Sequence, residues 1–279
     1  MTKVEDPLTA MFSTVSISQI SQRLLGAALG LVCTLSIGPN AVQATPSPKE
    51  RYNEAIRDAA VAEPTEQVSE LIPLTPDNPN LVWHPDRQRL LMVTWKSQSS
   101  FDRFIKPATN SSSNENQLIW VTAAPQVQQL CRQYRQQNPN ATEADLKLRL
   151  QQYLGLDPAW NYDVFVEMWV DVRDLFRPCA DPEVSDRQCQ ADFPQSLAAD
   201  LPKVAGITPR SGIANYQTFF KGLYYRSIRT NLQPFTGLGY TYDWGNPNSE
   251  VGASEFILVP GAAYTIERAV PTGDYCKPE

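Results

Sequence analysis

The sequence predicts an α+β fold, a single domain with a mainly antiparallel sheet, about three helices and a C-terminal hairpin. Three observations predict it. Apolar residues alternate with a period of two in several short runs, and they shift to helical spacing in three others. The runs follow the order β, β, α, α, β, α, β, β, without the strict alternation of a parallel βα fold. No internal repeat is visible.

Arg89–Lys96 (RLLMVTWK) and Gln117–Thr122 (QLIWVT) read as the first two strands, joined by a polar segment, Thr109–Asn116, expected to be mobile and exposed. Val127, Leu130, Cys131 and Tyr134 then fall on one helical face behind Pro125. A second helix opens at Thr142-Glu-Ala-Asp145, close to a capping box, and aligns Leu146, Leu150, Tyr153 and Leu154. Gly155 is expected to end it. Tyr162–Val172 is the clearest strand: Val164, Val166, Met168 and Val170 point one way, Phe165, Glu167, Trp169 and Asp171 the other. Apolar bulk on both faces makes it a central strand. Tyr216, Phe219, Phe220 and Leu223 define a helix from about Ile213 to Thr230. Ser254–Val259 and Tyr264–Val270, separated by Pro260-Gly261, read as the terminal hairpin.

Ahead of this domain lies an export signal. Leu24–Ile37 is an uncharged run of 14 residues behind Arg23. At about 1.5 Å per residue it reaches about 21 Å, short of the roughly 30 Å hydrocarbon core. Gly38-Pro39-Asn40 breaks the helix, and Val42 and Ala44 suit a signal peptidase site, so residues 1–44 are read as a signal peptide. Met11 is an alternative start. A retained anchor and lipidation of Cys33 are the competing readings; Val32 is too bulky for the lipid-modified motif. Residues 45–80 carry Pro46, Pro48, Pro64, Pro73, Pro76 and Pro79 and are read as a Pro-rich tether, in which Glu50–Ala62 is a weakly apolar helix candidate. The α+β domain occupies 81–279. The expected compartment is the periplasm or extracellular space, with the thylakoid lumen as the equivalent in a photosynthetic host.

Loss of residues 1–44 leaves the net charge at −6, which disfavours nucleic acid and anionic membranes as partners. The membrane enters only through the uncleaved signal. Cys131, Cys179, Cys189 and Cys276 remain, an even set that reads as two disulfides in an exported chain. Of three pairings, sequence distance favours Cys179–Cys189 with Cys131–Cys276. No close ligand pairs suggest zinc, and no cofactor or metal is expected.

The single histidine, His84 in Trp83-His-Pro-Asp86, rules out multi-histidine metal sites. It is read as a polar residue at a strand-edge turn. No Gly-x-Ser-x-Gly elbow, phosphate loop or dinucleotide fingerprint occurs. Carboxylates alone suffice for glycoside hydrolysis. Glu167, between Phe165 and Trp169, and Asp243, in Tyr240-Thr-Tyr-Asp-Trp-Gly245, are the weak catalytic candidates. An arginine-paired strand acid is the plainer reading of each. Tyr240, Tyr242 and Trp244 are candidate ligand-stacking rings, with a spacing of two that equally fits a short core strand. Lys221, Arg226 and Arg229, with Arg210 nearby, are candidate anion binders or a solvated helix face. Asp181, Glu183 and Asp186 match no established calcium loop.

Leu91-Met-Val-Thr-Trp95, Trp120-Val-Thr-Ala123, Phe165-Val-Glu-Met-Trp-Val170, Asp174-Leu-Phe-Arg-Pro-Cys179, Gly239–Gly245 and Ser254-Glu-Phe256 together resemble an uncharacterised family of exported bacterial proteins, well represented in cyanobacteria. The resemblance spans about residues 81–276. It implies one domain with paired cysteines, and no activity or catalytic residue comes with it. The expected function is therefore that of an exported, non-catalytic binding or envelope-associated domain contacting a glycan or a protein. A carboxylate-only glycan hydrolase and a purely structural module are the alternatives.

Overall fold

The computed structural model describes residues 45–193, 213 and 215–278. Residues 1–44, read above as an export signal, and Arg210 lie outside them. In chain order the elements are α1 (Pro48–Asp58), β1 (Arg89–Lys96), α2 (Gln98–Ser100, running into a π-turn at Phe101–Ile105) and β2 (Trp120–Ala123). Next come α3 (Ala124–Gln137), α4 (Glu143–Tyr153), β3 (Val164–Asp171) and β4 (Leu175–Phe176). The chain continues as α5 (Tyr216–Tyr225, running into a π-turn at Arg226–Thr230), β5 (Tyr240–Tyr242), β6 (Val251–Ser254), β7 (Phe256–Leu258), β8 (Tyr264–Pro271) and α6 (Thr272–Tyr275). The fold is α+β, with six helices among the described residues rather than about three, because the short α2 and α6 and the early α1 lack a long apolar stripe. No helix among the described residues is long and apolar enough to cross a membrane.

Six strands form one sheet in the order β4-β7-β2-β1-β3-β8, antiparallel throughout, and β5 and β6 form a separate pair. β3 is interior, paired on one side with β1 along eight registered residues and on the other with β8. Its alternation divides the core in two. Val164, Val166, Met168 and Val170 join α5 and the β4–β7 side in the larger cluster. Phe165 on the opposite face joins Trp95 with Val127, Cys131, Leu146 and Leu150 of α3 and α4. The α4 start follows its sequence cue: the Thr142 hydroxyl accepts from Asp145 N–H, and the Asp145 carboxylate accepts in return from Thr142 N–H.

Both expected disulfides are present, Cys131–Cys276 joining α3 to the chain just beyond α6, and Cys179–Cys189 closing a loop with a sequence separation of 10.

Three expectations need correction. The terminal strands do not form a hairpin: β7 pairs with β2 and β4, while β8 pairs with β3. The 109–112 segment takes the hydrogen bonds that would have closed the hairpin. Ser111 N–H donates to Ala262 O, Ser111 Oγ to Val259 O and Tyr264 N–H to Thr109 O. The same bonds bury Ser111, so this stretch of the polar loop is not fully exposed.

Residues 45–80 are the third correction. They belong to the compact unit Thr45–Glu279 instead of trailing as a tether. Pro48 sits in the first turn of α1, behind a Ser47–Glu50 capping box, where proline suits a helix. Tyr52 and Ala55 are buried, with the Tyr52 ring edge-on to Trp244. Downstream, Leu71 N–H donates to Arg187 O, Ile72 N–H to Ser254 Oγ and Leu74 N–H to Val184 O. These bonds strap the segment onto the domain surface.

A candidate ligand cavity in the sheet seam

β1 pairs with β2 at only two positions, Met92↔Ala123 and Val93↔Thr122, although all eight of its residues pair with β3. Beyond Val93 the two strands part. A cavity of about 170 Å³ lies along the Thr94–Lys96 edge of β1 that β2 has left. Aromatic rings wall it: Trp95, Trp120, Tyr162, Phe165, Phe235 and Tyr242. Trp95 stacks on Phe165 and Tyr162 at ring-centroid distances of 5.4 and 5.1 Å, which fixes that wall.

Irregular backbone collects around this space. Ser227, in the π-turn after α5, lines it, and π-turns occur often at functional sites. Leu232 has φ +52°, one of two non-glycine residues with positive φ among the described residues, and it leads into Gln233, Pro234 and Phe235 on the wall. Tyr52 of α1 holds that bend through its hydroxyl, donated to Leu232 O at 2.9 Å. Gly155, at φ +65°, lets the chain after α4 approach Tyr242; a Cβ there would lie 3.2 Å from Tyr242 N. Gly155 ends α4 as expected.

Glu255, between β6 and β7, lines the cavity. Its backbone N–H donates to Gly239 O at 3.0 Å, but its carboxyl has no hydrogen bond or ion pair among the described residues. The residue is only 7% exposed, and burial pushes the carboxyl up to about 8. Lys96 lines the same cavity, and burial lowers its ammonium below the ordinary lysine value. It too lacks an ion pair among the described residues. Burial is the sole cause of both shifts, so neither charge answers the other.

The residues expected from sequence are placed elsewhere. Glu167 is buried on β3 directly across from Arg268 of β8, which donates through Nε at 2.5 Å and Nη2 at 3.0 Å. Asp243 is buried and held by Arg149 of α4, at 2.8 and 2.6 Å. Each is therefore an arginine-paired acid, and neither lines the seam cavity. Tyr240 is 0% and Trp244 6% exposed, which corrects the reading of these rings as an open stacking surface. Trp244 Nε1 donates to Leu156 O, and only Tyr242 of the three reaches the seam cavity.

The hydroxyls of Tyr240 and Tyr242 donate to Glu250 and Asp58 respectively. With Glu66 these two acids bring carboxylate oxygens within 4.8 Å of one another. Burial, followed by Glu66 and Asp58, raises the Glu250 carboxyl, while the Tyr240 hydrogen bond opposes that rise.

The three basic candidates have separate surroundings among the described residues. Lys221 sits over the Phe193 ring at 5.4 Å, Arg226 reaches Glu115 O, and Arg229 is exposed. Asp181 and Asp186 surround the fully buried Arg177, whose Nη2 ties Ile72 O to Asp186 O. This makes the acids of the cysteine loop part of a structural knot. His84 lies at the turn before β1, edge-on to Trp169 at 5.1 Å.

Sequence reasoning missed Glu255. The available signal was an acid at the head of the apolar run Phe256–Val259, a core strand where a charge needs an explanation. Comparison with family models, with curated proteins and with solved structures finds no match to this chain.

Proposed function

We propose that this chain is an exported, non-catalytic binding domain that takes one compact ring-shaped ligand into the seam cavity. The observation that carries the reading is Glu255, an unpartnered buried carboxyl facing an aromatic-walled space. Burying such a group costs free energy unless something hydrogen-bonds it, and among the described residues nothing does. A volume of about 170 Å³ suits a single ring, since an engineered cavity of about 150 Å³ admits benzene. Flat walls and a few convergent polar groups, Thr94, Thr122, Ser227 and Gln233, are the ordinary make-up of a small-molecule site. The terminal unit of an envelope glycan is one source of such a ring.

Export rests on the signal read in residues 1–44 and is supported by the two disulfides, which persist in oxidising compartments. The resemblance to exported bacterial proteins belongs to the same proposal. A hydrolase is less supported. It needs two carboxyls flanking the sugar bond, and among the described residues Glu255 is the one carboxyl lining the cavity.

The test is ligand-detected NMR with small rings, neutral and charged, on the protein and on Ser227→Trp, which fills the cavity. Binding to the protein that the tryptophan abolishes is the expected result. Absence of binding by every ring, or binding indifferent to the tryptophan, overturns the reading.

A further inference from the structure

We propose that the seam cavity selects a compact ring bearing a protonated amine, seated with its ammonium on the Glu255 carboxylate. The inference rests on the cavity being a binding site and adds the chemistry of its ligand. Three observations converge on a cation. Glu255 offers acceptor oxygens to which no donor among the described residues is bonded. Trp95, Trp120 and Tyr162 line the same cavity with aromatic rings, which attract cations. The chain's net charge of −6 favours approach of a cation over an anion. Lys96 sets the limit: it lines the same cavity, so a diamine is disfavoured and a monoamine with a neutral or acidic far end fits.

Binding has a proton signature. With the free carboxyl pushed up to about 8, most molecules hold Glu255 protonated at pH 7. A carboxylate–ammonium pair forms only when that proton leaves to solvent, so about one proton is released for each amine bound. The other titratable groups facing the cavity are Lys96, Tyr162 and Tyr242. Burial pushes the Tyr162 hydroxyl up to about 12 and raises that of Tyr242 as well, so both stay neutral. Lys96 is the one competing source of a proton.

The experiment is calorimetry at pH 7 in two buffers of different ionisation heat. The probes are benzylamine and glucosamine, with benzyl alcohol and glucose as their neutral counterparts. At least one amine should bind tenfold or more tighter than its counterpart, releasing about one proton. Glu255→Gln should remove both the preference and the release, and Lys96→Met should keep both. The benzylamine arm identifies an aromatic amine as the ligand type, the glucosamine arm an amino sugar such as a glycan end supplies. Neutral rings binding as tightly as amines, or a release that survives Glu255→Gln and vanishes in Lys96→Met, overturns the amine assignment while leaving the cavity as a binding site. Failure of all four probes to bind overturns both.

Discussion

Asp243 and Glu255 are both almost wholly withdrawn from water, yet Arg149 grips the first with two hydrogen bonds while the second has none among the described residues. The difference teaches where this domain is finished and where it is left open. Asp243 belongs to its framework: its carboxylate also accepts from Gly245 N–H at 3.1 Å, fixing the turn between β5 and β6. Glu255 belongs to a gap in the sheet, where β2 has left β1 and, among the described residues, no donor reaches its carboxyl. A buried carboxyl with its own arginine is a structural device, and the one without is the group that our proposal assigns to a ligand.

The sharpest way to break this contrast is to strip the partner from Asp243. Arg149→Ala leaves a carboxylate that is 2% exposed without its cation, and loss of one partner of a buried pair costs about 3–5 kcal/mol. Urea denaturation should show a loss in that range, and Arg149→Met with Asp243→Leu should recover much of it. A loss under about 1 kcal/mol would make Asp243 as tolerant of solitude as Glu255 and dissolve the distinction.

The next effect comes from Glu255 itself and depends on pH. Its carboxyl titrates near 4.5 in the unfolded chain and at about 8 in the folded one, so between these values the folded state holds the extra proton. Stability is therefore fully present below about pH 4.5, falls as pH rises toward 8 and levels off beyond it, at up to about 1.4 kcal/mol per pH unit. Solvent relaxation around the cavity reduces the sum to the order of 2–4 kcal/mol. Glu255→Gln should flatten this dependence and make the protein the more stable of the two at pH 8–9, as thermal melts across pH would record. Melts that keep the same slope in Glu255→Gln would place the proton elsewhere.

Much of this framework is legible in the sequence. Period-two alternation locates β1 and β3, helical spacing with the Thr142 cap locates α3 and α4, and four cysteines in a chain read as exported yield both disulfides. What is not legible depends on contacts distant along the chain. Arg149 and Asp243 are 94 residues apart, and no local pattern pairs them. The 45–80 segment reads as a tether because its prolines dominate its composition, whereas its attachment rests on backbone bonds to Val184 and Arg187 and on the Tyr52 hydroxyl donated to Leu232 O. The cavity is the least legible feature of all. It exists because β2 stops pairing with β1 after two residues, which the apolar pattern of neither strand records.

Glu167 provides the finest test, because it is paired like Asp243 but by a partner that water reaches. It is 3% exposed, whereas the Arg268 side chain on the edge strand β8 is 52% exposed. If burial of the acid alone set the cost of losing its arginine, Arg268→Ala would be as damaging as Arg149→Ala. Water can instead follow the shortened side chain in from the sheet edge and solvate the carboxylate. The expected loss is then about 1 kcal/mol, the range of solvent-exposed ion pairs, and it should shrink as salt is added. Urea midpoints at low and high ionic strength measure both quantities. A salt-insensitive loss equal to that of Arg149→Ala would show that these carboxylates are governed by their own depth rather than by whether water can reach them.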